Sequence, residues 1–215
     1  MLGDSHLGPL GRAAEAARIP FQGGPMGAGR DFFDDFFIAH EHDIVFRLPE
    51  MERYFRGFLD KLNIACLDEL AIPLVSTVGS SMHFVATQHN WSYYRTATGY
   101  PADFLSSPLF QDIVATMAAP ALRFYRHVRA LKLRVLAVLP PQRVPRQSDP
   151  VVFMAAQDVI RQQVAQIGIE IVDLRDRISD PTGFQRRELC EANDEIHGNL
   201  AWGRIVLSEL LDQGL

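Results

Sequence analysis

The sequence predicts an α/β fold, a three-layer sandwich with a mainly parallel central sheet covered by helices on both faces. Two observations carry that prediction. Short β-branched or apolar runs alternate with longer stretches of helical periodicity. Each apolar run also closes on turn-forming or polar residues, as a strand does where it hands over to a crossover helix. A chain of 215 residues is long enough for one substantial core, so a single domain over 1–215 is expected.

The elements follow in order. Helical patterning begins around Leu10–Ala17, directly after Gly3-Asp4-Ser5-His6, and so little chain precedes Ser5 that the first strand is expected to be missing or truncated. Strands are predicted at Ile19–Gln22, Ile72–Val78, Arg134–Leu139 and Ile169–Leu174, closed by Gly23-Gly24, Gly79-Ser80-Ser81, Pro140-Pro141 and Arg175-Asp176 respectively. Helices are predicted over Met51–Leu62, Phe110–Leu131, Val151–Ile167 and Leu200–Leu211. Gly79–Ser107 breaks this rhythm with His83, Phe84, His89, Asn90, Trp91, Tyr93, Tyr94 and Tyr100, and is expected to form a long functional loop with a short helix. Phe32-Phe33-Asp34-Asp35-Phe36-Phe37 reads as core packing on an amphipathic helix, with an acyl-pocket lining as the minor alternative.

Bulk properties exclude several function classes. The 21 basic and 26 acidic residues give a formal charge of −5, so neither nucleic acid nor an anionic membrane surface is an expected partner. Cys66 and Cys190 stand far apart without metal-ligand spacing, which points to reduced thiols. There is no basic, then apolar leader and no run near the roughly 20 apolar residues a membrane span needs, so a cytoplasmic protein is expected. His40, His42, His83 and His89 lack a convincing ligand pattern; no metal and no cofactor is expected, and a structural or solvent-facing role is assigned to them. The glycine run Gly23–Gly29 lacks the GK[ST] or GxGxxG setting of a phosphate cradle.

Two short motifs carry the chemistry. Ser5 lies between an acid and a histidine at a strand-to-helix handover, where its own N–H is suited to a developing negative charge; capping of the helix by Ser5 or Asp4 is the plainer alternative. Near the other end, Asp194-Glu195-Ile196-His197 puts a carboxylate three residues before an imidazole. That spacing lets Asp194 hold one ring nitrogen while the other faces a serine hydroxyl as general base.

With GDSHL at 3–7 and DEIHGN at 194–199, in this order and at the two extremes of an α/β pattern, the chain resembles the SGNH or GDSL-like hydrolases over essentially its whole length. The resemblance implies a flavodoxin-like three-layer fold. It further implies a serine esterase in which Ser5 attacks the ester carbonyl, His197 moves the proton and Asp194 orients His197. The expected substrate is a small-acyl ester, such as an O-acetyl ester, of a carbohydrate or metabolite. Acyl transfer by the same triad, or a catalytically degenerate binding module, is the alternative. The resemblance also implies an oxyanion hole made of the Ser5 N–H, a glycine N–H after the second strand and an asparagine after the third. Gly27 is favoured for the glycine, with Gly24 in reserve. Ser81 stands where the family pattern has asparagine, so Ser81, Asn90 or His83 must donate instead. Asp4, His83, Trp91 and Tyr94 are the expected substrate contacts.

Overall fold

The structure, a computed structural model, describes residues 1–215. Its central sheet is parallel throughout and contains β1 (Leu2–Asp4), β2 (Gly24–Gly27), β5 (Leu74–Ser76), β6 (Val135–Val138) and β7 (Glu170–Val172) in the order β2-β1-β5-β6-β7. Between β2 and β5, β3 (Phe37–Ala39) and β4 (Ile44–Phe46) form a separate antiparallel hairpin. Counted along the main sheet alone, this is the flavodoxin-like 2-1-3-4-5 order, in which the strand order reverses between β1 and β5. Ligands bind in such sheets at that switch point, off the carboxyl ends of the strands.

The helices are α1 (Leu7–Ala16), α2 (Pro49–Leu62), α3 (Gln88–Trp91), α4 (Pro108–Met117), α5 (Ala119–Ala130), α6 (Pro150–Gln166), α7 (Arg175–Ile178) and α8 (Leu200–Asp212). Alternation along β6 sorts them into layers, because successive side chains of a strand leave opposite faces. Val135 and Ala137 join a large buried cluster with Phe55 of α2, Phe124 of α5 and Val152 of α6. Leu136 and Val138 join a second cluster with Leu10 of α1 and Trp202 and Val206 of α8. In the α1–α8 contact, Gly203 lies against the backbone of Pro9, where a Cβ would stand 2.2 Å from the Pro9 carbonyl oxygen.

Several boundaries differ from expectation. A first strand is present: Leu2–Asp4 is short, yet it pairs with both β2 and β5 and is fully buried, and a strand with neighbours on both edges needs little length. The second strand is not Ile19–Gln22 but Gly24–Gly27. Gly23 and Gly24 adopt φ of 92° and 152°, and the Gly24 N–H bonds the Met1 carbonyl, so pairing with β1 begins only after that glycine bend. The single helix expected over 110–131 is two, broken at Ala118, because Pro120 has no N–H to continue the first helix and starts a second within its first turn. Phe32–Phe37 is not helical; a 3₁₀ turn over Gly29–Phe32 leads into β3, with all four phenylalanines buried and Asp35 paired outward to Arg47 and Arg123.

Gly79–Ser107 contains α3 and a 3₁₀ turn at Phe104–Ser106 but little other regular structure. Aromatic packing holds it down. Trp91 is buried, donates its indole N–H to the Val85 carbonyl at 2.7 Å and lies 4.9 Å from the Phe110 ring, while Tyr94 stacks on Phe104 at 4.9 Å. Cys66 and Cys190 are unpaired. No helix is long and apolar enough to cross a membrane.

Candidate active site

Ser5 follows β1 at the carboxyl edge of the sheet, and α1 begins two residues later. Asp4 builds the turn that presents it. The Asp4 carboxylate is wholly buried; its Oδ1 accepts the His6 N–H at 3.1 Å and the Thr77 hydroxyl at 2.9 Å, and Thr77 Oγ1 in return accepts the Asp4 N–H at 3.1 Å. The side chain before the serine therefore ties β1 to the chain leaving β5 at the switch point. Burial pushes the Asp4 carboxyl up to about 6, against the opposing pull of these hydrogen bonds. So enclosed a group has no surface to offer a substrate, and the expected substrate contact at Asp4 is corrected to a role in shaping the turn.

The partners of Ser5 come from a loop without regular secondary structure, ahead of α8. Asp194 Oδ1 accepts the N–H groups of Ile196 and His197, both at 2.6 Å, a local turn of the kind short acidic side chains favour. Its Oδ2 lies 2.6 Å from His197 Nδ1, and His197 Nε2 lies 2.7 Å from Ser5 Oγ. Because a carboxylate only accepts, the Asp194 contact requires a proton on Nδ1, which leaves Nε2 free to accept from the serine hydroxyl. Burial pushes Asp194 up, but the bonds from the His197 ring and from the two amides outweigh it and hold the carboxyl down at about 2. Asn199 ends the loop and caps α8, accepting from the Ala201 and Trp202 N–H groups.

Two further histidines crowd this centre. The His6 ring lies 5.0 Å from that of His197 and 5.8 Å from that of His83. Burial, then the proximity of His197, lowers His6 to about 3; burial and His6 lower His83 to about 4. Both are neutral near pH 7. His83 Nε2 faces the Arg143 carbonyl at 2.9 Å, so that nitrogen carries the ring proton, and Nδ1 accepts the Ser81 hydroxyl at 2.6 Å. The Ser81 proton is thereby committed to His83 instead of facing the space beside Ser5.

The other expected oxyanion donors divide. Gly24 begins β2, at the end of the sheet remote from Ser5, with its N–H already bonded. Asn90 donates its amide to the Phe84 and Val85 carbonyls. Gly27 ends β2 opposite Asp4. Gly29, which sequence reasoning passed over within the same glycine run, opens a 3₁₀ turn, where a backbone N–H lacks an intrahelical acceptor. A Cβ on Gly29 would stand 2.8 Å from Ser81 Cβ and 3.1 Å from Asp4 Oδ2, so its backbone approaches this region as only glycine can. The Ser5 N–H has no partner either. Trp91 is corrected from substrate contact to core residue, and Tyr94 packs on Phe104. His42 lies away from the site and bonds Asp68 at 2.7 Å, and no group of three or more His, Cys, Asp and Glu side chains has metal-site geometry.

The roomiest cavities do not include Ser5. One of about 660 Å³ lies under the aromatic loop between Arg95, Tyr100, Phe104 and Asp149. The space beside the Asp194–His197 loop is a shallow cleft of about 280 Å³ lined by Gln142, Arg143, Arg146, Gln185 and Glu195. Sequence reasoning also missed Thr77, whose signal is only a polar residue ending an apolar run, and Arg143, which has none.

No protein-family model and no curated protein sequence matches the chain. Among solved structures, the crystal structure of an acetyl xylan esterase, AlAXEase, superposes on 99% of this chain and 97% of its own at 14% identity, with a TM-score of 0.46.

Proposed function

We propose that this chain is a serine esterase that hydrolyses small-acyl carboxylic esters, such as O-acetyl esters of a carbohydrate or metabolite, through an acyl-Ser5 intermediate. One observation carries the reading: the unbroken hydrogen-bonded chain from Ser5 Oγ through His197 to Asp194, with 2.7 and 2.6 Å links between groups from opposite ends of the sequence. A serine hydroxyl, an imidazole and a carboxylate linked in this order support the roles of nucleophile, general base and orienting group in acyl transfer.

In the reaction, Ser5 Oγ attacks the ester carbonyl carbon as its proton passes to His197 Nε2. Asp194 stabilises the imidazolium so formed, and the carbonyl oxygen becomes an oxyanion facing the Ser5 and Gly29 N–H groups. Collapse expels the alcohol, which takes the proton from His197 and leaves acyl-Ser5. Water then gives a proton to His197 and attacks the acyl carbon; the second tetrahedral intermediate collapses with cleavage of the bond to Ser5 Oγ, releasing the carboxylic acid while His197 returns the proton to Ser5.

Labelling with a fluorophosphonate probe tests the reading. A covalent adduct on Ser5 that disappears in Ser5→Ala, together with p-nitrophenyl acetate turnover at least ~10³-fold above that of the variant, is expected. Equal turnover by both proteins would favour the second reading, a degenerate binding module, whose support is the commitment of the Ser81 hydroxyl to His83.

A further inference from the structure

We infer that Arg143 is a positioning residue for this site, holding the triad loop through its guanidinium and the neighbouring His83–Ser81 pair through its carbonyl. The inference rests on the esterase reading. Arg143 leaves the carboxyl end of β6 behind Pro140-Pro141-Gln142 and turns its side chain under the loop that bears Asp194 and His197. Its Nη1 donates to the carbonyls of Glu191 at 3.1 Å and His197 at 2.6 Å, and its Nη2 donates to the carbonyl of Asp194. Nη1 is also 3.9 Å from Asp194 Oδ1, and the side chain is 16% exposed, so water competes little with these bonds.

The loop depends on such a clamp. Its base is closed by the isolated Cys190–Gly198 bridge, through the Glu191 N–H to the His197 carbonyl and the Asn199 N–H to the Leu189 carbonyl, and by Asn199 Nδ2 donating to the Glu188 and Cys190 carbonyls; between these ends it has neither helix nor strand, and Arg143 reaches its middle at the Asp194 carbonyl. Three carbonyls from residues up to six apart converge on one planar group, a geometry that the fixed fork of guanidinium matches and a single ammonium does not. At its other end, the Arg143 carbonyl fixes the proton on His83 Nε2 and so directs Nδ1 at Ser81. One residue therefore touches both the loop that bears Asp194 and His197 and the His83 ring, with the guanidinium contacts the ones that bear on the proposed base. Preorganisation of this kind bears on the barrier, since misplacement of a catalytic group by about 1 Å costs on the order of 10²-fold in rate.

The experiment compares wild-type protein, Arg143→Ala, Arg143→Lys and Ser5→Ala. Turnover of p-nitrophenyl acetate is measured per phosphonate-titrated Ser5, and the low-field proton resonance of the Asp194–His197 hydrogen bond is followed by NMR without substrate. Expected are a kcat lower by about 10²-fold in Arg143→Ala, with KM nearly unchanged, and a shifted or broadened low-field resonance. Methylguanidinium should restore part of the kcat, and Arg143→Lys should remain impaired. An unchanged kcat per titrated site and an unchanged resonance, even with a lower melting temperature, would reduce Arg143 to a structural staple and overturn the inference. If Arg143→Ala does not fold, Arg143→Lys decides by the same two readouts. Failure of the esterase reading is distinguishable, since wild-type turnover would then equal that of Ser5→Ala while the resonance still reports positioning.

Discussion

At the scale of single residues, the proposed chemistry depends on which proton each side chain has to give. Asp194 accepts from His197 and from two amides, and its carboxyl is held near 2, so it stays ionised throughout the neutral range. Asp194→Asn is expected to leave the fold intact and lower kcat by ~10⁴-fold, because an amide can present a donor to Nδ1 and favour the wrong tautomer. Steady-state kinetics on a protein with unaltered circular dichroism checks this. Ser81 is the contrasting case. Loss of a true oxyanion donor costs ~10²–10³ in kcat, but the Ser81 hydroxyl proton is committed to His83, so Ser81→Ala should change kcat by less than about threefold. A larger fall would return Ser81 to the oxyanion hole.

Elements position these residues through close approaches that leave little tolerance. The α1 and α8 helices carry the chain away from Ser5 and from His197, and they meet where Gly203 faces Pro9. Gly203→Ala would drive a methyl group into the Pro9 carbonyl and is expected to destabilise the protein by roughly 1–3 kcal/mol, read as a lower urea midpoint. The aromatic loop makes the opposite point, because its residues pack inward. Trp91→Ala should cost about 3–5 kcal/mol of stability, while Trp91→Phe, which keeps a ring beside Phe110, should leave KM for ester substrates unchanged. A raised KM in a folded Trp91→Phe protein would restore Trp91 to the substrate site.

For the whole molecule, the cluster of neutral histidines links stability to pH. His83 and His6 bind protons at about 4 and about 3 when folded, below the ordinary histidine value of 6.5, so between 6.5 and those values the unfolded chain binds more protons and stability falls as pH falls. Asp194 adds a further loss on descending from 3.8 to about 2. Asp4 acts in the other direction, since its raised value near 6 means that stability is lost as pH rises from about 4 through 6. The two histidines outnumber Asp4 over this window. Urea midpoints should therefore decline from pH 6.5 toward 4, and less steeply in His83→Gln. From the sequence by itself came the alternation of strands and helices, the three-layer class and the motifs around Ser5 and Asp194-x-x-His197, because periodicity and motif spacing are local properties. Its errors were local competitions settled elsewhere: the strand placed at Ile19–Gln22 gave way to the glycine bend at Gly23-Gly24, and Pro120 divided the helix expected over 110–131. Only the tertiary structure decided that Ser5 and His197 meet, that Trp91 is core, that Ser81 spends its proton on His83 and that Arg143 lies beneath the loop that bears Asp194 and His197. Those relations join residues that long stretches of chain separate, and no periodicity records which side chains converge once a parallel sheet gathers its carboxyl ends on one edge.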